Sequence, residues 1–507
     1  MGFLHKHFSN NIETNSEGNM KVYLQAIKLL FNKFVLRKKN GMVIKNFSEN
    51  MGIVYIKLAQ MLATQNFGNI FTEEDRQILS SICDNCNPIS YDKIEKILKE
   101  EYGDSLENIF SFIEHKPVGS ASVSQVHRAI LKTGEEVAIK IKRKDITQSI
   151  DEDIKEIKKI VHKFGKFVNF GNYTGGDHAL DLYLEWIKQE TDFSLEKENI
   201  KMYQEFANSV NGKVSRTKKI KVPKLYEKYC TDNIIVMEFI RTKTINKLEL
   251  TNENKAKIIT ALNSYIKSSF WAMFHDKQIV FHGDPHSGNI CIDEEGNICF
   301  LDMGLLCNLN DKEAKLCRKL FLTAYSENYE KLYDMLIPYG NMSEEKKQSF
   351  KEECKKYCKE VKKKDVSYYF IDLINICLNY EFDPPDFLFK MAKAFVCLNG
   401  ISNFTNNKCS ARELLQEQTM EYLIKRSLND CQEIVTDSLH IAPKAIENIA
   451  QYGLVNTIAK VTSNDELKKD IRDSLNNLKE LLELIKISSN EEIFIQSDQT
   501  RKRTKNI

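Results

Sequence analysis

The stretch that decides the fold is FHGDPHSGNICIDEEGNICFLDMG, residues 281–304. Four residues separate Asp284 from Asn289, and Asp302 lies 13 positions further on, directly before Met303. Phosphoryl transfer with magnesium needs one carboxylate near the attacking group, a second on the metal, and an amide oxygen to complete a metal site. The protein-kinase catalytic loop has the same Asp-to-Asn spacing, followed by an Asp-Phe-Gly metal site. Because Met303 keeps a bulky apolar anchor in place of phenylalanine, the stretch favours a magnesium–nucleotide site with Asp302 on the metal.

Two other interpretations of this stretch stay open. His282 and His286 lie four residues apart and could form a zinc site. Pro285 and the glycines oppose a helix there, however, and the oxygen ligands on offer suit magnesium better. We therefore expect the histidines to brace the loop by hydrogen bonds. The stretch could otherwise be a structural loop with incidental acidic residues.

A second motif, VAIK, ends at Lys140 on a predicted strand that follows a glycine turn. In kinases the lysine of this motif contacts the α- and β-phosphates of the nucleotide. The predicted strand NIIVMEFI, residues 233–240, lies between Lys140 and Asp284, where a kinase has the segment that links its lobes. Motif order and strand context together favour a functional lysine over a solvated edge residue.

The bulk composition predicts a globular protein of two or more lobes in a reducing compartment. The chain has 507 residues, more than one core usually holds. Its net charge of +2 gives no reason to expect nucleic acid as a partner. The 13 cysteines are scattered, which predicts free thiols, and we interpret the pair Cys83 and Cys86 as coincidence rather than a zinc or redox site.

Membrane attachment is expected to be peripheral at most. The sequence has no run of about 18 uncharged apolar residues, and its N-terminus shows no convincing signal or transit peptide. The basic amphipathic segment at residues 20–39 could contact an anionic membrane, although packing on the main body is favoured. We therefore expect a cytoplasmic protein that can also contact a membrane surface.

The hydrophobic pattern predicts an α+β fold with a small β-containing lobe and a large helical lobe. Strands are expected at SVSQVHRAIL and EVAIKIK, and helix from Asn252 to about His275 and beyond Asp311. The predicted divisions are a mobile N-terminus (1–18), a helical extension (19–110), an N-lobe (111–240), a C-lobe (241–430), C-terminal helices (431–490) and a disordered basic tail (491–507).

Three segments depart from an ordinary kinase. Residues 117–127, PVGSASVSQVH, replace the glycine-rich loop and contain one glycine, which predicts a stiffer loop. Residues 55–65, YIKLAQMLATQ, form a predicted helix with no ordinary kinase counterpart. In QETDFSLEKENI, Asp192 and Glu196 are four residues apart and would share one face of a helix. Taken alone, that pair is more simply a charged helix surface.

Together these segments resemble the UbiB family of atypical kinase-like proteins, also called AarF-domain or ADCK proteins, which is linked to ubiquinone biosynthesis. The resemblance covers roughly residues 50–310, with weaker helical similarity to about residue 430. The family's Lys-x-Gly-Gln helix, alanine-rich loop and Glu-x-Asp element correspond to Lys57-Leu58-Ala59-Gln60, Gly119-Ser120-Ala121-Ser122 and Glu190-Thr191-Asp192. The resemblance implies a protein-kinase-like two-lobed fold with an extra N-terminal helical element and a long helical C-terminal lobe.

The resemblance also implies the roles of individual residues. Lys140 would hold the nucleotide phosphates and pair with Glu196. Asp284 would take the catalytic-base position, and Asn289 and Asp302 would bind magnesium. The nucleotide-binding set would be completed by the loop residues Ala121 and Ser122 and by a hinge facing adenine, Met237, Glu238 and Phe239.

The extra helix is expected to restrict the substrate. Lys57 and Gln60 would project into the substrate side of the cleft, with Glu190 as the partner of Lys57. Such a plug suits ATP hydrolysis or transfer to a small molecule or lipid better than phosphorylation of large proteins. Ala59 replaces the family's glycine and is expected to shift the helix backbone slightly, and Gly119-Ser120 replaces two alanines and is expected to loosen the loop.

Three functional hypotheses remain at this point. The first is an active atypical kinase or ATPase that uses ATP and Mg²⁺ and supports ubiquinone or other isoprenoid-lipid metabolism. The second is a small-molecule kinase like the choline and aminoglycoside kinases, which also use an HGD-x-H-x-x-N loop. The third is a nucleotide-binding pseudokinase scaffold, although no obligatory catalytic residue is missing.

Overall fold

The computed structural model describes most of the central part of the chain. The described residues are 40–65, 72–80, 88–121, 123–143, 150–159, 177–214, 217–275, 279–326, 328–339, 342–361, 363–364, 366–380, 382, 384–405 and 414. Several predicted features lie outside these residues: the mobile N-terminus, the basic amphipathic segment, Cys83, Cys86, Ser122, and the C-terminal helices and tail.

The first helices in the described part of the chain are α1 (Asn40–Met51), α2 (Ile53–Gln65) and α3 (Glu73–Ser80). Gly52 separates the first two helices and has a φ of 129°, a conformation that glycine adopts without strain. Close packing of α1 on α3 needs a second glycine, because a Cβ at Gly41 would lie 2.7 Å from the backbone of Asp75. In α2, Val54, Leu58 and Ala59 are buried in the main hydrophobic core, so the helix that carries Lys57 is fixed to the body of the protein.

A five-stranded antiparallel sheet forms the N-terminal lobe. Its strands are β1 (Phe110–Ile113), β2 (Gly119–Ser120), β3 (Ser124–Leu131), β4 (Glu136–Lys142) and β6 (Ile234–Glu238). Their order in the sheet is β1-β3-β4-β6, and β2 pairs with β3 beside this path. The predicted strands are therefore confirmed. Between β3 and β4, Gly134 turns the chain with a φ of 98°.

Helix α4 (Tyr91–Tyr102) packs on this sheet. Its buried residues Ile94 and Leu98 share one hydrophobic cluster with Val137 and Ile139 of β4. The sequence placed α4 in the helical extension that ends at residue 110, and in the structure its apolar face lies against the sheet. An amphipathic helix shows in sequence that it needs an apolar partner, but not which one.

The short helix α5 (Leu106–Ile109) directly precedes β1, and between β4 and β6 lie α6 (Asp177–Gln189) and α7 (Phe193–Val210). Asp192 is the N-cap of α7, and its side chain accepts hydrogen bonds from the backbone N–H groups of Ser194 and Leu195. Glu196 is buried in the first turn. The expectation of a charged helix surface was therefore wrong: one acid caps the helix and the other enters the interior.

The C-terminal lobe begins with α8 (Asn252–His275) and continues through four short strands, of which β7 pairs with β10 and β8 with β9. These strands are β7 (Ile279–His282), β8 (Ile290–Ile292), β9 (Ile298–Phe300) and β10 (Leu306–Leu309), and β9 also pairs in parallel with β5 (Ile220–Lys221). Five helices follow: α9 (Asp311–Ser326), α10 (Tyr329–Leu336), α11 (Glu344–Val361), α12 (Val366–Asn379) and α13 (Asp386–Phe404). The predicted α+β class and helical C-terminal lobe are confirmed over the described residues.

The pairing of β7 with β10 brings the two ends of the opening stretch together. His282 lies opposite Leu306 in the register, and the next residue, Gly283, donates its N–H to Leu305 O at 2.9 Å. A Cβ at Gly283 would lie 2.7 Å from the Leu305 side chain, which explains the glycine there. Asp284 and Asp302 are therefore held at one end of this strand pair.

None of the helices in the described part of the chain is both long enough and apolar enough to cross a bilayer.

Candidate active site

Lys140 is the centre of the site. Its Nζ lies 2.6 and 2.8 Å from the two carboxylate oxygens of Glu196 and 2.9 Å from Asp302 Oδ2. Strand β4 supplies the lysine, the first turn of α7 supplies Glu196, and the segment between β9 and β10 supplies Asp302. The structure thus brings together three residues that sequence reasoning assigned to one site.

The charges in this triad have different environments. Burial acts to lower the pKa of Lys140, but the carboxylates of Asp302 and Glu196 outweigh burial and hold its pKa above the usual value. Burial alone would raise the pKa of Asp302, yet Lys140 and the N–H of Gly304 hold that pKa well below its usual range. Lys140 is therefore protonated and Asp302 ionised at neutral pH.

The segment around Met303 fixes the direction of the Asp302 carboxylate. Gly304 N–H donates to Asp302 Oδ1 at 2.8 Å. Met303 is buried in the main core, as expected of an apolar anchor, and Asn199 of α7 donates to its carbonyl oxygen at 2.8 Å. Sequence reasoning missed Asn199, whose only signal is its position three residues after Glu196 on the same helix.

Both histidines of the opening stretch hydrogen-bond to the loop backbone. His282 Nδ1 accepts from the Asp284 N–H at 3.1 Å, so its Nε2–H donates to Asp302 O at 2.6 Å. His286 Nδ1 accepts from the Gly288 N–H at 3.1 Å. Burial lowers the pKa of His282 to about 4, so its ring is neutral at pH 7. The bracing role predicted for these histidines is found, with both His282 nitrogens engaged by the backbone.

The described residues contain no group of three or more His, Cys, Asp or Glu side chains suited to a metal ion. Asp302 and Asn289 instead offer oxygen atoms from a carboxylate and an amide. The Asn289 amide nitrogen donates to Asp284 O at 3.4 Å, so the amide oxygen takes no part in that hydrogen bond. The Asp302 side chain is 39% exposed, beside a Lys140 side chain that is 7% exposed.

These residues fit magnesium and a nucleotide by their chemistry. Ionised carboxylate and amide oxygens are the ligands that Mg²⁺ prefers, and a buried ammonium suits phosphate oxygens. Burial raises the pKa of Glu196, whereas Asp302 is ionised and partly exposed, so Asp302 is the carboxylate of the triad that suits a divalent cation.

Asp284 has two partners on helix α13 that sequence reasoning missed. Lys393 Nζ lies 3.0 Å from Asp284 Oδ2, and Cys397 Sγ lies 3.5 Å from Oδ1. Burial acts to raise the pKa of Asp284, but the charges of Lys393, His286 and Lys57 outweigh it and hold that pKa well below its usual range. The sequence signal is a pair of lysines, Lys390 and Lys393, within the otherwise apolar run of residues 387–398.

The predicted hinge follows the end of β6. Met237 is buried and pairs with Ala138 of β4, while Glu238 is exposed and its N–H donates to Lys224 O at 2.8 Å. Phe239 N–H donates to Glu136 O at 3.2 Å. Backbone hydrogen bonds thus join this segment to Lys224 and to Glu136. That it faces adenine stays a prediction.

The alanine-rich loop is anchored to the sheet. Gly119 and Ser120 pair with β3, and Ala121 N–H donates to Ser124 O at 2.9 Å. Arg143, which follows β4, donates from Nη2 to Ser120 Oγ at 2.6 Å. The serine that replaces a family alanine therefore gains an arginine contact, which opposes the expected loosening. Gly119 has an ordinary backbone conformation with open space at its Cβ position.

Lys57 and Glu190 form the ion pair that the sequence predicted, with 3.0 Å between Nζ and Oε2. Glu190 also lies against the metal segment, because a Cβ at Gly304 would be 3.8 Å from its Cα. Gln60 is on the same helix as Lys57. The extra helix is therefore next to the site, while its occluding role stays a prediction.

Comparison with known proteins identifies the family. A family model described as the ABC1 atypical kinase-like domain matches residues 81–336, half of the chain. The chain belongs to this ABC1 family. A relative in Histophilus somni, named probable protein kinase UbiB, is 25% identical over 396 residues, covering 75% of this chain and 71% of that protein. The two-lobed architecture is thus the kinase-like fold that the sequence predicted.

Other ABC1 relatives come from eukaryotes. An ABC1 family protein of Schizosaccharomyces pombe is 29% identical over 306 residues, covering 59% of this chain and 54% of that protein. The Arabidopsis thaliana protein named ACTIVITY OF BC1 COMPLEX KINASE 7, chloroplastic, is 26% identical over 321 residues, covering 61% of this chain and 43% of that protein.

Among solved structures, the complex of Mycobacterium tuberculosis Rv3197 with erythromycin aligns at a TM-score of 0.45 with 18% identity, covering 79% of this chain and 96% of that one.

The buried ion pair predicts a large effect of Glu196→Gln on stability. The substitution removes one of the two carboxylates that compensate the buried Lys140, and breaking a buried pair costs about 3 kcal/mol or more. Urea unfolding should show this loss for Glu196→Gln and a change within about 0.5 kcal/mol for Glu198→Gln, an exposed glutamate on the same helix. Equal changes in the two variants would contradict a compensated ion centre.

Proposed function

We propose that this chain is an atypical kinase or ATPase of the UbiB type that uses ATP and Mg²⁺. The observation that carries the proposal is the triad in which protonated Lys140 lies within 2.9 Å of both Glu196 and Asp302. In kinases the corresponding lysine–glutamate pair and the metal-binding aspartate must be in place together for transfer. The names of the bacterial and plant relatives, which refer to UbiB and to the BC1 complex, motivate a role in ubiquinone or other isoprenoid-lipid metabolism.

Each residue of the site has a proposed task. Lys140, kept in place by Glu196, contacts the α- and β-phosphates, and Asn289 and Asp302 hold magnesium. Magnesium when bound neutralises charge on the phosphates. Asp284 takes the catalytic-base position and orients the attacking hydroxyl or water. The loop at Ala121 and Ser122 covers the phosphates, and Met237, Glu238 and Phe239 face adenine.

The extra helix supports a small acceptor. The ion pair of Lys57 with Glu190 stands beside Gly304 of the metal segment, and Gln60 follows on the same helix. Helix α2 is fixed by its buried residues, so a protein chain would have to displace packed apolar surface to reach Asp284. We therefore propose water, a small molecule or a lipid headgroup as the acceptor, with peripheral membrane contact in the last case.

The shared HGD-x-H-x-x-N loop keeps a small-molecule kinase of the choline or aminoglycoside type as the second candidate. The family assignment and the placement of Lys57 favour the UbiB type. A pseudokinase scaffold is disfavoured, because Lys140, Glu196 and Asp302 are assembled in direct contact, with Lys140 protonated and Asp302 ionised.

Purified protein should bind and hydrolyse ATP only with magnesium present. Asp302→Asn removes the ionised metal ligand and should lower the hydrolysis rate by roughly 10²-fold or more, the scale of losing one charge-stabilising group. The matched control Asp334→Asn changes an exposed aspartate far from the site and should behave as wild type. Phosphate release measured with and without Mg²⁺ tests this, and a wild type that neither binds nor hydrolyses ATP would refute the proposal.

Loss of the Lys57 ammonium should open the cleft. Lys57→Ala breaks the 3.0 Å pair with Glu190 and should raise autophosphorylation, because protein segments gain access to Asp284. Lys57→Arg keeps a cation for Glu190 and should stay near the wild-type level. Incorporation of labelled γ-phosphate measures the effect, and an unchanged level in Lys57→Ala would exclude occlusion by this side chain.

A further inference from the structure

Helix α13 presents two side chains to the carboxylate of Asp284. Lys393 and Cys397 are four residues apart and therefore lie on one face of the helix. Lys393 Nζ is 3.0 Å from Oδ2 and Cys397 Sγ is 3.5 Å from Oδ1. Both oxygens of the carboxylate at the catalytic-base position are thus contacted from a helix 113 residues away in sequence.

Burial of Lys393 is costly unless a partner compensates it. Its side chain is 8% exposed, in a helix whose neighbouring residues Phe389, Met391 and Ala392 are fully buried. A buried ammonium without a partner is strongly unfavourable, and packing alone would be served as well by methionine or leucine. The compensating partner is Asp284 rather than an acid elsewhere on the helix.

The surroundings make α13 a rigid support. The helix packs against β7 and β10, which precede and follow the site loops, and against α2 with Lys57. One turn before Lys393, Lys390 Nζ reaches Leu306 O of β10 at 3.5 Å. Three charged groups interact with Lys393 or Asp284 from the surroundings: Lys57 on α2, Glu190 just after α6 and His286 in the loop after β7.

We propose that Lys393 is a positioning residue for Asp284: its ammonium fixes Oδ2 so that Oδ1 faces the acceptor. This rests on the proposed phosphotransfer or ATPase function. A thiol is a weak hydrogen-bond donor, so the hydroxyl of an acceptor displaces Cys397 from Oδ1 more readily than it displaces an ammonium from Oδ2. Lys393 thus supplies, from a distant helix, a geometric constraint that the HGDPHSGN loop does not provide through its own side chains.

Kinetics separate positioning from nucleotide binding. Lys393→Met should lower the kcat for magnesium-dependent ATP hydrolysis about 10²-fold, the scale of a misplaced catalytic group, while the KM and the dissociation constant for MgATP stay within about twofold. Lys393→Arg keeps the charge and should recover at least tenfold of that loss. Lys390→Met, on the same helix, loses only the contact with Leu306 O and should change kcat far less than Lys393→Met does.

A double-mutant cycle provides a readout that needs no turnover. Lys393→Met and Asp284→Asn each leave one buried charge without its partner, so each should lower the urea midpoint of unfolding. The double variant removes both charges and should be less destabilised than the sum of the single changes. Purely additive effects would show that the pair does not interact, and would overturn the proposal.

The possible results are distinguishable. A wild type without ATP binding or hydrolysis contradicts the proposed function. An active wild type with the same kcat in Lys393→Met and Lys390→Met overturns the assignment of Lys393 alone. A lower affinity for MgATP at unchanged kcat also overturns it, because that result assigns Lys393 to nucleotide binding. A selective loss of kcat with recovery by arginine supports it.

Discussion

The ion triad of Lys140 with Glu196 and Asp302 is the interaction on which the rest of the site depends. Its members come from β4, α7 and the segment between β9 and β10, so it joins the sheet lobe to the helical lobe. Burying a lysine requires a compensating partner, and here Glu196 and Asp302 both contact the ammonium. The contacts of Lys140 therefore join the two lobes. They also leave a partly exposed, ionised Asp302, where a divalent cation would be favourable.

Paired charges extend from the triad to Asp284 and Glu190. Asp284 pairs with Lys393, and Glu190 pairs with Lys57 beside Gly304. Each acid is thus matched by a lysine from a different helix, and those helices, α13 and α2, pack against each other. This arrangement explains how Asp284, in a loop without a lysine of its own, stays ionised.

Local features of the site could be predicted from the sequence because they depend on short-range geometry. The strands around Gly134, the apolar anchor Met303 and the bracing His282 all follow from turns, alternation and motif spacing over a few residues. The pairing of Lys140 with Glu196 required more, since a charged helix surface was the simpler interpretation of Glu196 until the family resemblance assigned it a partner.

Long-range packing could not be predicted in the same way. Lys393 reaches Asp284 from a helix more than a hundred positions away, and an apolar run that contains two lysines does not show which group each of them contacts. Helix α4 is a second example, because its apolar face fits a sheet as well as a helix and the sequence does not show that it packs on β4. In both cases the missing information was the identity of the packing partner, which only tertiary structure supplies.

The most direct test of the magnesium–nucleotide site is a crystal structure of the protein with Mg²⁺ and a non-hydrolysable ATP analogue. The account predicts phosphate oxygens within about 3 Å of Lys140 Nζ and magnesium about 2.1 Å from oxygens of Asn289 and Asp302. A nucleotide bound elsewhere, or magnesium held without Asp302, would contradict it.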